Sequence, residues 1–570
     1  ARFAIDPARH ARVVARPGGA ALAAARLRGD EAGMTRHETD VLVLGSGSAG
    51  LVAALTAAAQ GLRVTVLEKT ARLGGTTAMS GAGTWIPANH HAAAAGIEDS
   101  EVEALDYIRA AAPEGWAAEE DALWQAFVRA APEMLRFVES ATPLRFALTP
   151  EPDPLRGLPG HKARGRMLSP LPLSRWRAGR FAFRIRKSTI PELFTYHEAV
   201  ETDLYHHPWR TAASLWPRLA WRILTNTRGK GTALVTGLLR GCLDRGVRVL
   251  LEARAVALVQ DADGAVTGAE VERGGVREAW SARAGVVIAT GGFEWDESLR
   301  AEHFPGPVDW LGSPPGNAGD GQRMAAAAGA ALARMDQATL TPSVPTRYEG
   351  RLMARPVPFH TEPNAFLVNR HGVRFVNELT FNIGEAIDAR DAGTGQPLHL
   401  PAWVISDSAM LDRLPPVRWA ARAAPGWLRQ APDVVALARL IDVPAEALEA
   451  SVARFNAAAL AGQDSDFGRP ARPDAAAAGD KRRRAGIAPL VRPPFLALPF
   501  NRAILATKGG ARTNAHGEVL RPDGSVIAGL FAAGVAMANP IGTRGVGTGT
   551  TIGPNMAWGY IVGRRLAQRN

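Results

Sequence analysis

Residues 41–50, Val41-Leu42-Val43-Leu44-Gly45-Ser46-Gly47-Ser48-Ala49-Gly50, constrain this chain more than any other stretch. Four apolar residues form a buried strand, Gly45, Gly47 and Gly50 make a G-x-G-x-x-G turn, and Leu51 to Ala59 read as a helix. Glycines at those spacings let the backbone approach a pyrophosphate, and the helix start adds positive partial charge. A second strand, Arg63-Val64-Thr65-Val66-Leu67, ends on Glu68, where a carboxylate can hold a ribose hydroxyl. A glycine fingerprint alone is weak. Strand, turn, helix, strand and acid in this order predict a dinucleotide site contacted by Gly45, Ser46, Gly47, Ala49, Gly50, Glu68 and Lys69.

The next residues say which dinucleotide. Between Gly74 and Pro87 runs a second strip of small residues, with Gly74, Gly75, Thr76, Thr77, Ser80 and Gly81 as further contacts. Such a strip cannot build a core, but it suits a backbone lying along a long flat ligand. FAD, extended across a domain, needs it; a nicotinamide cofactor does not. No histidine lies between Lys69 and Ala88, so non-covalent binding is expected.

A chain of 570 residues exceeds one compact core. No apolar run reaches spanning length, and the single cysteine, Cys242, excludes internal disulfides, a cysteine-based metal site and a dithiol relay. No metal site is expected, because His90-His91 and His206-His207 are adjacent pairs without helical ligand spacing. The net charge of +11 comes almost wholly from arginine. It concentrates in residues 164–187, where Trp176, Phe181 and Phe183 interleave, and in residues 205–226, where Leu215, Trp216, Leu219, Trp221, Ile223 and Leu224 alternate with Arg210, Arg218 and Arg222. The second stretch has the make-up of an interfacial membrane anchor, with a helix packed on the protein body as the alternative. Lys481-Arg482-Arg483-Arg484 reads as a solvated loop. Residues 1–33, rich in Ala and Arg without a signal-peptide core, are expected to be a disordered extension. A cytoplasmic enzyme with peripheral membrane contact through residues 205–226 is the expectation.

Helical spacing over residues 101–145 and Leu234–Leu243, with strands at 247–251, 255–259 and 285–293, continues the first domain. Ala255, Val256, Ala289, Thr290, Gly291, Gly292 and Asp320 are its further cofactor candidates. Residues 336–496 read as an insertion, after which Gly529 to Gly534 and a helix from about Pro554 return to the first domain. The expected class is α/β. A Rossmann-like (GR2-type) FAD domain over 34–335 and 497–570, with a helical basic insertion at 105–226, carries an inserted α+β substrate domain.

Several motifs identify a family. Glu68-Lys69 with Gly74 to Gly81, Ala289-Thr290-Gly291-Gly292-Phe293, and Gly372-Val373-Arg374-Phe375-Val376-Asn377-Glu378 resemble the fumarate reductase and 3-ketosteroid dehydrogenase flavoproteins. Thr507 to Thr513 and Gly549-Thr550-Thr551-Ile552-Gly553-Pro554 are most similar to the 3-ketosteroid dehydrogenase branch. The resemblance implies oxidation of a CH–CH bond beside a carbonyl. One proton leaves to a base and a hydride leaves to the flavin. It implies an apolar steroid-like or terpenoid ketone or an enone as substrate, with an electron acceptor that is not identified and no nucleic acid. Gly534, Gly549, Thr551 and Ile552 join the cofactor set, and Gly549 also helps hold the substrate carbonyl.

Two departures matter. Steroid Δ1-dehydrogenases carry a tyrosine four residues before that glycine, where this chain has Gly545. The arginine that follows R-F-V-N-E in fumarate reductases is missing from Thr380-Phe381-Asn382-Ile383. Candidate catalytic groups are therefore Gly549, Arg544, His360, Arg355, Tyr196 and Tyr348, with Arg355, His360 and Glu362 read as one cluster. Alternatives are a reductase of an unsaturated carboxylate clamped by Arg544 or Arg355, an RNA-modifying flavoprotein, and a flavin-binding subunit of a complex.

Overall fold

In the computed structural model, residues 35–470 and 486–569 are described. The extension expected at 1–33 and the basic run 481–484 lie outside the described residues.

The fold begins with β1 (Thr35–Leu44), whose last six residues are buried, followed by α1 (Ser48–Ala59) and β2 (Val64–Leu67). Both strands are buried on both faces, as unbroken apolar runs in a parallel sheet require. α2 (Ala117–Ala141) is amphipathic, with Leu123, Trp124, Phe127, Met134 and Leu135 on its buried side. α3 (Lys230–Asp244), β3 (Arg248–Leu250), β4 (Ala253–Gln260), β5 (Val266–Arg273) and β6 (Val276–Ile288) follow.

The sheet runs β12-β6-β1-β2-β3 in parallel, with β12 (Val526–Ala532) supplied by the far end of the chain and β11 (Glu518–Leu520) antiparallel at its edge. β4 and β5 form an antiparallel ribbon on β6. The final helix, α5 (Ile552–Gln568), lies against α1 so closely that a Cβ on Gly559 would stand 2.3 Å from the Ala49 carbonyl oxygen.

Between these parts sits a second sheet of four antiparallel strands, β7 (Ala365–Val368), β8 (Trp403–Asp407), β9 (Arg429–Ala431) and β10 (Phe495–Pro499), in the order β7-β8-β10-β9. Alternation along the strands feeds two cores. Ala365, Leu367, Val404 and Leu498 pack beneath one face, while Phe366, Val368, Ile405 and Ala497 pack with Phe455 of α4 (Ala445–Ala461) on the other. β10 carries this sheet past the boundary expected at 496.

The Arg374 to Glu378 motif locks the domain. Arg374 donates to Glu378 and Asp464 at 2.8–3.0 Å, and buried Arg469 adds bonds to Glu378 and the Ala365 carbonyl. Such a buried network specifies one arrangement, because removal of any member strands a charge.

Candidate active site

One cleft runs along the carboxyl ends of β1, β2 and β6, where an open α/β sheet leaves a crevice. At Gly45 the backbone has φ +111°, and a Cβ there would stand 2.3 Å from the Ala289 carbonyl oxygen. A Cβ on Gly50 would stand 2.2 Å from the Gly45 oxygen, so this third glycine serves helix–strand packing and does not line the cleft. Gly47 does line it, at the start of α1.

Glu68 is held in advance. The Ser46 hydroxyl donates to one carboxylate oxygen at 2.5 Å, and the Thr70 N–H and hydroxyl donate to the other at 2.9 Å. Beside it, Asp320 accepts from Lys69 at 2.6 Å and from Arg254 at 3.0 Å. Burial pushes the Asp320 carboxyl up, but these two cations outweigh it and hold it below the usual carboxylate range. Asp320 thus orients two cations towards the cleft. The second small-residue strip joins the first where Ser48 N–H donates to the Thr77 hydroxyl at 3.0 Å.

The cleft takes in Gly45, Ser46, Gly47, Ala49, Glu68, Lys69, Gly75, Thr76, Thr77, Ser80, Gly81, Ala255, Ala289, Thr290, Gly291, Asp320, Gly534, Thr551 and Ile552. Four other cofactor candidates stand outside its lining besides Gly50. Gly74 starts the short helix Gly75–Met79 at φ +100° and donates to Ser46, and Val256 alternates to the other side of β4 from Ala255. Gly292 packs against Glu294 and Thr507, and Gly549 (φ +92°) packs on the Gly83–Thr84 backbone.

Sequence reasoning missed Arg186, Arg254, Asn317 and Thr339, all in the lining. The Asn317 amide donates to Thr76 at 3.0 Å and to buried Glu294 at 2.8 Å, bridging segments 241 positions apart. No local spacing announces such a contact. For Arg186 the basic run offered a signal, because its backbone pairs with Leu73 beside the glycine strip.

The six catalytic candidates separate. Arg544 donates twice to Glu385, at 2.8 and 2.9 Å, which corrects its reading as an open anion clamp. His360 is only 2% exposed and packs on Phe359 and Phe500 in the second domain's core, so it does not reach the cleft. Glu362 is taken by His206 and Arg413, at 2.8 and 3.0 Å, which corrects the expected cluster with Arg355 and His360. The short 3-10 turn Phe359–Thr361 turns these neighbours in different directions. Tyr348 donates to the Lys187 carbonyl at 2.7 Å and stands outside the cleft lining, its hydroxyl pushed up to about 12 by burial.

Tyr196 and Arg355 remain. Tyr196 lies against Gly81 of the cleft wall, its ring carbon 3.1 Å from where a Cβ on Gly81 would be, and its hydroxyl donates to Glu151 at 2.8 Å. Arg355 directly precedes Pro356 of the cleft wall on the same strand; like Tyr196 it borders the cleft behind a lining residue and is not itself in the lining. Its Nε is buried without a hydrogen-bond partner, and it forms no ion pair with any described residue. Burial pulls its guanidinium below the usual value, with Tyr205 nearby. The Lys230 ammonium is close enough to feel Arg355. Burial first, then Arg355, brings its pKa down to about 7.

The residues fit FAD. Glu68 suits a ribose, the α1 start and Gly47 a pyrophosphate, the small strip a flat ring system, and the start of α5 at Thr551 and Ile552 the ring's electron-rich edge. Cys242 is buried, bonds the Leu51 carbonyl, and burial raises its thiol to about 12, as in an inert packing residue. His90 and His91, set aside as a metal pair, both reach Glu139, at 2.8 and 3.0 Å, away from the cleft lining.

A family model described as FAD binding domain matches residues 40–552. A 4-oxocyclohexanecarboxylate 2-dehydrogenase of Sinomonas cyclohexanicum is 38% identical over 552 residues, covering 94% of this chain and 94% of that protein. A 3-oxosteroid 1-dehydrogenase of Mycobacterium tuberculosis is 33% identical over 573 residues, covering 94% and 99%. The crystal structure of 3-ketosteroid Δ1-dehydrogenase from Sterolibacterium denitrificans, in complex with 1,4-androstadiene-3,17-dione, is similar with a TM-score of 0.82 and 28% identity, covering 94% of this chain and 100% of that one.

Proposed function

The chain belongs to the family of flavoproteins with this FAD binding domain, and we propose that it desaturates a ring ketone whose far end carries a carboxylate. It is an FAD-dependent oxidoreductase acting on a carbon–carbon bond beside a carbonyl. The parallel sheet, the antiparallel β4–β5 ribbon and the placement of Glu68 support the GR2-type Rossmann-like reading of the first domain, with residues 336–496 as the core of the substrate domain.

The observation that carries the substrate reading is Arg355. A guanidinium with a buried, unpartnered Nε and no described carboxylate beside it is costly unless an anion completes it. A ligand carboxylate does so bidentately. The relative named for 4-oxocyclohexanecarboxylate supports that chemistry.

Bound FAD supplies the hydride acceptor. Arg355 fixes the carboxylate end and so places the ketone end. Tyr196 takes the proton from the carbon beside the ketone, while its own hydroxyl proton passes to Glu151 along their hydrogen bond. Met79, Ile190 and Leu505 keep the wall apolar and exclude water from the reacting carbons.

The test is anaerobic bleaching of the flavin by 4-oxocyclohexanecarboxylate and by a neutral 3-ketosteroid, in wild type and Arg355→Leu. Loss of a charge-assisted pair predicts a roughly 30- to 1000-fold rise in the oxo acid's half-saturation, with neutral ketones unaffected. Bleaching by the steroid alone, unchanged in Arg355→Leu, would leave the apolar-ketone reading standing and discard the carboxylate.

A further inference from the structure

The segment from Arg186 to Arg228 has two sides. Inward, Arg186, Thr189 and Ile190 line the cleft, and the Tyr205 hydroxyl donates to the carbonyl of Pro356 in its wall. Outward, the segment leaves large apolar side chains in water. Trp209 is 78% exposed, Trp216 and Trp221 66%, and Leu224 79%. Ile223 is exposed as well. The short ribbon of Leu173–Ser174 with Thr227–Arg228 joins this surface to the loop carrying exposed Trp176 and Phe183. Soluble surfaces seldom leave so many large apolar groups together without a use.

The charge around them has one sign. No aspartate or glutamate occurs between residues 161 and 191 or between 204 and 243. Arg177, Arg180, Arg184 and Arg210 are exposed and form no ion pair with any described residue. Arg218 reaches only Glu198, at 3.8 Å, while Arg222 of the same helix turns inward to bind that carboxylate at 2.7 Å. The helix Trp216–Leu224 thus anchors itself by Arg222 and presents Trp221, Ile223 and Leu224 outward.

We propose that this Trp- and Arg-rich face docks the protein on an anionic lipid surface, laying the wall of the cleft against the bilayer interface. Tryptophan rings at headgroup depth and unpaired arginines facing lipid phosphate are the two interactions such a surface offers. Trp and Arg also suit a protein interface, but a protein partner would have to bring carboxylates matched to each of these unpaired arginines, whereas a layer of lipid phosphates meets them in any register. The inference stands apart from the choice of substrate. Among the described residues no helix is long and apolar enough to cross a membrane.

The experiment is co-sedimentation of the holoenzyme with phosphatidylcholine vesicles, with and without roughly a third phosphatidylglycerol, at low and high salt. Wild type should partition at least about tenfold more strongly onto the anionic vesicles, less so at high salt. The variant W209S/W216S/W221S should lose about tenfold or more of that binding, yet keep its flavin spectrum and its turnover of a soluble ketone. If the variant fails to fold, quenching of wild-type tryptophan fluorescence by brominated lipid gives the same answer. Wild type remaining in the supernatant with both vesicles would overturn the proposal. So would a dimer, seen by light scattering, that the same variant dissolves, because the face would then belong to a second copy.

Discussion

At the residue scale, two glycines four positions apart do different work. Gly549 has φ +92°, and a Cβ there would stand 2.6 Å from the Gly83 carbon and the Thr84 nitrogen, both backbone. Its carbonyl also accepts from the Trp85 N–H at 3.2 Å. A bulky residue at 549 therefore does not simply plug the cleft; even alanine must push the loop off the Thr84–Trp85 strand. Gly545 is roomier. Its Cβ would meet the Thr550 hydroxyl at 3.3 Å and a Phe381 ring carbon at 3.4 Å, while Asn382 already bonds both its N–H and its carbonyl. Gly549→Ala should cost on the order of 2–4 kcal/mol in urea unfolding, from the strained φ and the backbone clash together. Gly545→Ala should fall within about 1 kcal/mol of wild type. Equal losses in the two variants would contradict this account.

At the element scale, the start of α3 carries a buried amine. Lys230 adopts φ +57°, donates to the Pro191 carbonyl at 2.8 Å, and sits where a helix N-terminus already presents positive partial charge. Burial, then Arg355, brings its pKa from 10.5 down to about 7. The unfolded chain therefore holds more protons than the folded one between about pH 7 and the unfolded value. Stability owed to this group rises with pH across that window, and the penalty is full below it. Lys230→Met should remove that slope. The gap in urea midpoint between variant and wild type should favour the variant at pH 6.5 and shrink towards pH 10. A constant gap would mean that Lys230 is not titrating in the fold.

Much at this scale was legible. The β1–α1–β2 unit and Glu68 follow from local spacing, because each residue's role is set by neighbours within one motif. What was not legible depended on partners far along the chain. Arg544 is taken by Glu385, 159 positions away, and Asp320 by Lys69, 251 positions away. The grouping of Arg355, His360 and Glu362 failed for the opposite reason. Adjacency in sequence says little where a strand hands over to a 3-10 turn. Arg355 and Arg544 read from sequence as equal candidates for an anion clamp, and they part only once Arg544 is seen on Glu385 and the surroundings of Arg355 show no carboxylate.

At the scale of the whole molecule, the two halves are built differently. The first core takes β1, β2 and β6 from the early chain and β12 and α5 from its end, so it closes only when distant segments meet. The second domain's cores draw chiefly on residues 344–500, one continuous stretch. Nearly all of the cleft belongs to the first core, Pro356 being the clearest contribution from the second domain. A ligand that binds only the folded cleft stabilises what it touches by mass action, about 2.7 kcal/mol at a hundredfold excess over its Kd. Removing FAD should therefore act unevenly. Calorimetry of holo and apo protein should show two transitions, with loss of FAD lowering the first-core transition by roughly 4–10 °C and moving the second far less. Both transitions falling together would show that the cleft couples the two cores into one cooperative unit. The contacts through Pro356 and through Tyr205, which bonds its carbonyl at 3.0 Å, would then be the link to cut next.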